Sequence, residues 1–350
     1  MIGVPLFFLV YAFVRSVAAL RWFVVLLLLI ASANGAASWI QFNSTAAQFA
    51  AWGPGYAERV LATGRFTDAG RTFATTNNLD RTRPFGLGSD SGGGGLFAAL
   101  TVGALLVLTT RRVTRLWQLA FAVTMALGVV VAIVTSQGRT AVIAALIVAL
   151  GYGLLTATSG KRTATLLGTA VAAVVAFAVV KAIVNTEGAS ALRYQGLAST
   201  KIVQTSIQAR GSAVNAIPEN IVKFPFGAGL GVAGPASGQA GAPAQSGLVD
   251  AESWYSFMTL EAGVPAMLLG TAFTLLLLFL AFTRVRREPD PEARALLAAI
   301  LAPLLAVFAL YTSAGGSTAT TPVGPYLWTA AGIVAYWLVA RQAELLRAAA

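Results

Sequence analysis

Residues 262–287 read Ala262-Gly263-Val264-Pro265-Ala266-Met267-Leu268-Leu269-Gly270-Thr271-Ala272-Phe273-Thr274-Leu275-Leu276-Leu277-Leu278-Phe279-Leu280-Ala281-Phe282-Thr283-Arg284-Val285-Arg286-Arg287. No charge interrupts the run before Arg284. At about 22 residues it is enough helix to cross the hydrocarbon core of a bilayer. Three arginines then close it, as they do where a span reaches water. Lipid, not water, is the solvent this stretch is written for.

The pattern recurs along the chain. Apolar runs of helical length lie at roughly 2–14, 22–40, 95–110, 116–135, 141–158, 163–184, 257–283, 296–313 and 325–340. The 350 residues are 57% hydrophobic and only 11% charged, against about 25% charged in soluble domains. Only helices and closed barrels satisfy their backbone in lipid, and these runs have helical length. The expected fold is therefore all-α: a polytopic transmembrane bundle of about nine spans, one integral membrane domain over residues 1–350. Two long loops, 41–94 and 185–252, separate groups of spans. Residues 197–217 place Val203, Ile207 and Val214 at helical spacing, the pattern of an amphipathic helix lying on the membrane surface.

The short links carry Arg15 and Arg21; Arg111, Arg112 and Arg115; Lys161 and Arg162; Arg284, Arg286, Arg287 and Arg294; and Arg341 and Arg347. They fall on alternate sides of successive spans and so share one face, which the positive-inside rule makes cytoplasmic. Both long loops then lie outside. The first span is short. Arg21 followed by the apolar run 22–37 also fits a signal peptide, and a late start of the reading frame is a further expectation.

The net charge of +11 raises the question of nucleic acid. Its concentration in links between spans makes it a topology signal, and no nucleic-acid partner is expected. The chain has no cysteine and no histidine. That excludes disulfides, thiolate zinc sites, Cys nucleophiles and Ser-His-Asp triads. Acid–base chemistry falls to Asp, Glu, Lys, Arg, Tyr or the substrate. Gly229, Gly231 and Gly234 spell GxGxxG, but in an external loop without the strand and helix that a dinucleotide fold requires. Gly92, Gly93, Gly94 and Gly95 read as a flexible lead-in to a span rather than a phosphate cradle.

Arg139 stands out. It lies in Ser136-Gln137-Gly138-Arg139-Thr140, a short turn that topology puts outside, against the positive-inside bias. Either it has a function or it snorkels to lipid headgroups. The second long loop carries Arg193 and Arg210, then Asp250, Glu252 and Glu261 at its membrane end. Guanidinium groups bind phosphate bidentately, and a carboxylate can take a proton from a hydroxyl. Solvated loop charges are the alternative for each. Glu261 in Leu260-Glu261-Ala262-Gly263 also fits a residue bracing the N-terminal end of the following helix.

Four patches together resemble the O-antigen ligase and Wzy-type polymerase superfamily of bacterial envelope glycan enzymes. Ser136-Gln137-Gly138-Arg139-Thr140 before an apolar span is similar to the family's Ser-Arg-Ala/Thr segment. Ala209-Arg210, a spacer, then Pro225-Phe226-Gly227-Ala228-Gly229-Leu230-Gly231 resembles its arginine followed by Pro-Leu-x-Gly-x-Gly. Glu252-Ser253-Trp254-Tyr255 through Leu260-Glu261-Ala262-Gly263 is similar to the stretch that leads into a later span, and Arg83-Pro84-Phe85-Gly86 to a signature in an earlier external loop. The likeness covers residues 80–340 or so. Ligases carry a histidine where residues 250–253 lie. Its absence here leans the expectation toward a polymerase or an unassigned member.

The resemblance implies a transferase of the bacterial plasma (inner) membrane that works at the external, periplasmic face without metal or other cofactor. The donor would be a polyprenyl-diphosphate-linked glycan, its tail among membrane lipids. The acceptor would be a sugar hydroxyl on a glycan or lipid-glycan. Arg139 and Arg210 would stabilise the departing diphosphate, with Arg193 and Arg83 also binding substrate. Glu252 would serve the acceptor, beside Trp254, Tyr255 and Glu261. The competing expectations are a transporter or flippase of lipid-linked or anionic solutes, and an inactive cell-envelope assembly protein.

Overall fold

The computed structural model describes residues 3–53, 72–74, 80–88, 92–110, 114–157, 215, 217–230, 232, 253–311 and 323–341. The described architecture is helical, with one short antiparallel pair in which β1 (Thr72–Ala74) faces β2 (Asp80–Thr82) in register Thr72↔Thr82. Among the described residues, five helices are long and apolar enough to cross a membrane: Val17–Phe42, Leu116–Thr135, Trp254–Arg287, Pro291–Leu310 and Val323–Ala340. The expected span 163–184 lies outside the described residues.

The chain forms two compact units. One comprises residues 14–198 and 288–303. Its helices are α2 (Val17–Phe42), α3 (Ala46–Ala50), α4 (Gly93–Leu100), α5 (Val102–Thr110), α6 (Leu116–Thr135), α7 (Arg139–Thr156) and α10 (Pro291–Leu301). Local chemistry sets their ends. Ser16 Oγ accepts the Ala19 amide at 3.1 Å and starts α2 ahead of the apolar run. The Gln118 carboxamide accepts the Thr114 and Arg115 amides at the start of α6. Asp290 caps Glu292 N at 2.9 Å with Pro291 beginning the helix, both favourable at an N-terminus.

α6 coincides with the expected span 116–135. The expected single span 95–110 is instead two helices, α4 and α5, that meet at Thr101. α2 and α6 pack through small residues: a Cβ on Gly35 would overlap the Gly128 carbonyl, and one on Gly128 would lie 2.6 Å from Ser32. Such small faces let backbones approach where apolar burial gives helices no preference for one another over lipid. α10 packs on α2, α5 and α7 and buries Leu296, Leu297, Ile300 and Leu301. Arg21 binds Glu292 through Nε and Nη2, at 3.1 and 2.9 Å. The pair joins two basic links that the charge pattern assigned to one face.

The other unit comprises residues 1–13, 199–287 and 304–350. It contains α1 (Val4–Phe13), α8 (Ile217–Lys223), α9 (Trp254–Arg284), α11 (Pro303–Leu310) and α12 (Val323–Ile333), which continues as a π-helical segment Val334–Ala340. α1 packs on α12, where Gly332 approaches the Phe7 carbonyl closely enough that a Cβ would stand 2.7 Å from it. Arg284 donates to the Leu338 carbonyl, and Arg341 lies over the Trp337 ring, 4.4 Å from its centroid.

Candidate functional site

The described parts of the four patches meet in two pairs, one in each unit. In the unit of α2, the Arg83–Gly86 patch meets the Ser136–Thr140 turn. Arg83 donates from Nε to the Ser136 carbonyl at 3.2 Å. Its Nη2 lies beside Gly92 and Gly138, where an added Cβ would stand 2.9 and 3.3 Å from it. Gly92 and Gly138 precede α4 and α7, and neither helix has a side-chain cap.

Residues 83–88 are held by a polar stripe on α2. Gln41, buried, accepts the Phe85 and Gly86 amides at 2.9 Å each and donates to the Gly86 carbonyl at 2.9 Å. Asn34 accepts the Leu87 amide at 2.8 Å. Asn34, Ser38 and Gln41 stand four and three positions apart and so share one helix face. Phe85 is fully buried, edge-on to Phe49 at 5.0 Å. The loop then closes on itself: Gly92 N donates to Pro84 O and Gly94 N to Phe85 O. A Cβ on Gly94 would stand 2.9 Å from Asn34 Oδ1 and 3.0 Å from Gly86 Cα. Gly92, Gly94 and Gly95 are thus packed, not the flexible lead-in expected: a Cβ would meet Arg83 at Gly92, Asn34 and Gly86 at Gly94, and Ser136 at Gly95.

Gln137 follows Ser136 with φ 53°, the one left-handed non-glycine among the described residues. Arg139 is the first residue of α7.

In the other unit the glycine-rich patch meets the break in α9. Gly263 has φ 77° and ψ −176°, which divides α9 into 254–262 and 264–284. Pro265 lacks an N–H and crowds the carbonyl four residues back, that of Glu261. An unbroken helix would bond Val264 N to Leu260 O. Here Val264 N donates to Pro225 O at 2.9 Å, and Leu260 O accepts Ala228 N at 2.6 Å. Residues 225–228 are inserted into the helical ladder and satisfy the Val264 amide and the Leu260 carbonyl. A Cβ on Gly227 would lie 2.6 Å from Glu261 O, and one on Gly263 would lie 2.5 Å from Pro225 O. Phe224 and Val232 pack on Phe257 and Leu260 beneath this strap.

Glu261 therefore lies at the C-terminal end of the first helical segment. Its expected place at the positive N-terminal end of the span is corrected, because the helix begins at Trp254, where Ser253 Oγ accepts the Ser256 amide at 3.0 Å. Glu261 is half-buried. Trp254 is buried and stacked on Tyr311, with ring centroids 4.3 Å apart and planes 12° apart. Its other edge fills the space over Gly270, and its amide donates to Tyr311 O at 2.7 Å. Tyr255 is half-buried and edge-on to Tyr311 at 6.0 Å. The Tyr311 hydroxyl bonds to Thr274 Oγ1 at 2.8 Å.

Glu252, Arg193 and Arg210 lie outside the described residues, as do residues 197–214 of the expected amphipathic stretch 197–217. Sequence reasoning missed Asn34, Gln41 and Tyr311. The signal for the first two was a pair of carboxamides seven positions apart in an otherwise apolar span. Among the described residues no group of three or more His, Cys, Asp or Glu is placed to hold a metal ion. No family model matches the chain, and no curated protein or solved structure matches it.

Proposed function

We propose that the chain is a glycan transferase of the bacterial plasma membrane, O-antigen ligase-like or polymerase-like, with about nine spans and two large external loops. In this reading an acceptor sugar hydroxyl attacks the anomeric carbon of a polyprenyl-diphosphate-linked glycan at the external face. The glycosidic bond to the diphosphate breaks as the new one forms, and the lipid diphosphate leaves. The acceptor's proton passes to a carboxylate, for which Glu252 is the candidate. Arg139 and Arg210 balance the charge that grows on the leaving group, and Arg83 supports the turn that carries Arg139.

The observation that supports this reading is the pairwise meeting of the four patches on which the resemblance rests. Arg83 bonds to the carbonyl of Ser136, and Pro225 and Ala228 bond to the break before Val264. Patches read separately along the chain are the same local structures in space. The experiment is transfer by purified protein in proteoliposomes supplied with a polyprenyl-diphosphate oligosaccharide and a glycan acceptor. Product formation, unchanged by a chelator, is expected. Its absence, with donor moved across the bilayer, would favour a flippase.

That second reading has one observation behind it, because broken helices line many transport sites. Those breaks lie near the bilayer midplane. In the proposed reading the segment 264–284, about 30 Å at 1.5 Å per residue, fills the hydrocarbon thickness and leaves the Gly263 break at the rim, which supports surface chemistry. An inactive assembly protein would show neither activity.

A further inference from the structure

The strap that repairs the α9 break has two sides. Phe224 and Val232 face inward, onto Phe257 and Leu260. Val222, Phe226 and Leu230 face outward and are 83%, 83% and 79% exposed. Apolar side chains this bare, recurring every four residues, would be costly in water at about 25 cal/mol per Å².

Their height is fixed by hydrogen bonds. Val264 N holds Pro225 and Leu260 O holds Ala228, so the strap cannot drift from the break. Counting from Arg284, at the start of the basic cluster, the helix 264–284 climbs about 30 Å to reach the break, the thickness of the hydrocarbon core. The outward side chains therefore stand at the opposite rim of the core from Arg284, Arg286 and Arg287. On the lower part of α9, Leu268, Leu269, Leu276 and Phe279 are exposed in the same manner. The span and the strap thus both carry exposed apolar side chains. Glu219 and Lys223 form an exposed charged pair at 3.7 Å on α8.

We propose that residues 217–230 form an interfacial anchor whose Val222, Phe226 and Leu230 insert among bilayer lipids beside α9, so that the membrane surface itself holds the strap in the helix break. The proposal rests on α9 crossing the membrane but not on glycan transfer.

The chain has no cysteine, so single cysteines can be introduced without removing any. Val222→Cys, Phe226→Cys, Leu230→Cys, Glu219→Cys and Leu276→Cys, each carrying a nitroxide, would be reconstituted in phosphatidylglycerol-containing liposomes. Collision with apolar oxygen and with a water-soluble nickel chelate would then be measured. Labels at 222, 226 and 230 are expected to favour oxygen over nickel by at least about threefold relative to 219, as for side chains inserted at the acyl boundary. A label at 276 should favour oxygen most. Nickel access at 222, 226 and 230 equal to that at 219 overturns the proposal. So does shielding from both reagents, which means protein covers the strap. Spin–spin broadening that disappears on dilution with unlabelled protein overturns it too, because a second copy then sits there. Loss of oxygen preference at 276 instead marks a failure of the membrane-spanning reading of α9.

Discussion

The Arg83 guanidinium donates from Nε to the backbone carbonyl of Ser136 at 3.2 Å, across 53 positions of chain. Ser136 closes α6 and lies three residues before Arg139, which opens α7. The contact ties Arg83 to the turn that carries a second arginine. Arg83→Ala is expected to lower glycan transfer at least tenfold, about 1.4 kcal/mol at the transition state. Arg83→Lys should recover only part, because an ammonium lacks the planar fork that reaches the carbonyl and its surroundings together. Turnover in proteoliposomes at equal protein content checks both. Wild-type turnover of the Arg83→Ala variant would remove Arg83 from the machinery.

Gln41 makes three hydrogen bonds to residues 85 and 86 from inside the apolar helix α2. Gln41→Leu strands two amides and a carbonyl where neither water nor lipid can serve them, each at about 1–3 kcal/mol. Amide exchange over residues 85–88 should speed up at least tenfold, the ratio equivalent to about 1.4 kcal/mol, while exchange in α10 stays as it was. Asn34→Ala, which frees the single amide of Leu87, should act in the same direction but less strongly. Unchanged exchange in Gln41→Leu would show that the glycine crossing alone holds the loop.

The glycines of the strap separate two costs. Gly229 has φ 115° but nothing within 4 Å of an added Cβ, whereas Gly263 has φ 77° and Pro225 O 2.5 Å away. Gly229→Ala should cost about 1–2 kcal/mol, for the left-handed backbone alone. Gly263→Ala should add about 1–3 kcal/mol of overpacking. Thermal unfolding in detergent should therefore rank wild type above Gly229→Ala, and Gly229→Ala above Gly263→Ala. The reverse order of the two variants would mean the strap is not seated in the break.

The helices were legible because lipid leaves a strong mark on composition. Leu116 to Thr135 is uninterrupted, and the span it predicts matches α6 residue for residue. The Gly263 break was written in the sequence too, as Gly263-Val264-Pro265, but an apolar run hides it. Hydropathy records that residues 257–283 suit lipid and is silent on which amide bonds to which carbonyl. What decides that is Pro225 and Ala228, more than thirty positions upstream. The same blindness made Gly92, Gly93, Gly94 and Gly95 look flexible, since a glycine kept for close packing and one kept for freedom are the same letter. Trp254 carried two roles at once as a headgroup-depth aromatic, a membrane anchor and a sugar platform. Its partner Tyr311, 57 positions on, belongs to neither motif and supplied no sequence signal.

Topology can be checked apart from chemistry. The basic links predict residue 287 at the cytoplasmic face and residue 240 outside. With no native cysteine to remove, Arg287→Cys and Ala240→Cys can each be treated with a membrane-impermeant maleimide. Labelling at 240 in intact cells, and at 287 only after permeabilisation, is expected. The opposite pattern would invert the whole assignment.

The acceptor-side carboxylate is the last question, and α9 bears on it. Glu261 sits two residues before the Gly263 break, at the C-terminal end of the segment 254–262, with its carbonyl against Gly227. The partial negative charge of that helix end disfavours a second negative charge there. Glu261 is thus placed where its backbone meets the strap. Glu252 precedes Ser253, whose hydroxyl caps the same segment at its positive end. In the proposed reading Glu252 is the acceptor-side carboxylate. Glu252→Gln is therefore expected to lower transfer at least tenfold with the unfolding midpoint unchanged. Glu261→Gln is expected to move the unfolding midpoint and the amide exchange of residues 225–228, with a smaller loss of turnover. The two variants would be compared at equal folded protein, measured by unfolding in detergent before reconstitution. Near-normal turnover of Glu252→Gln, alongside an inactive but fully folded Glu261→Gln, would exchange the two roles.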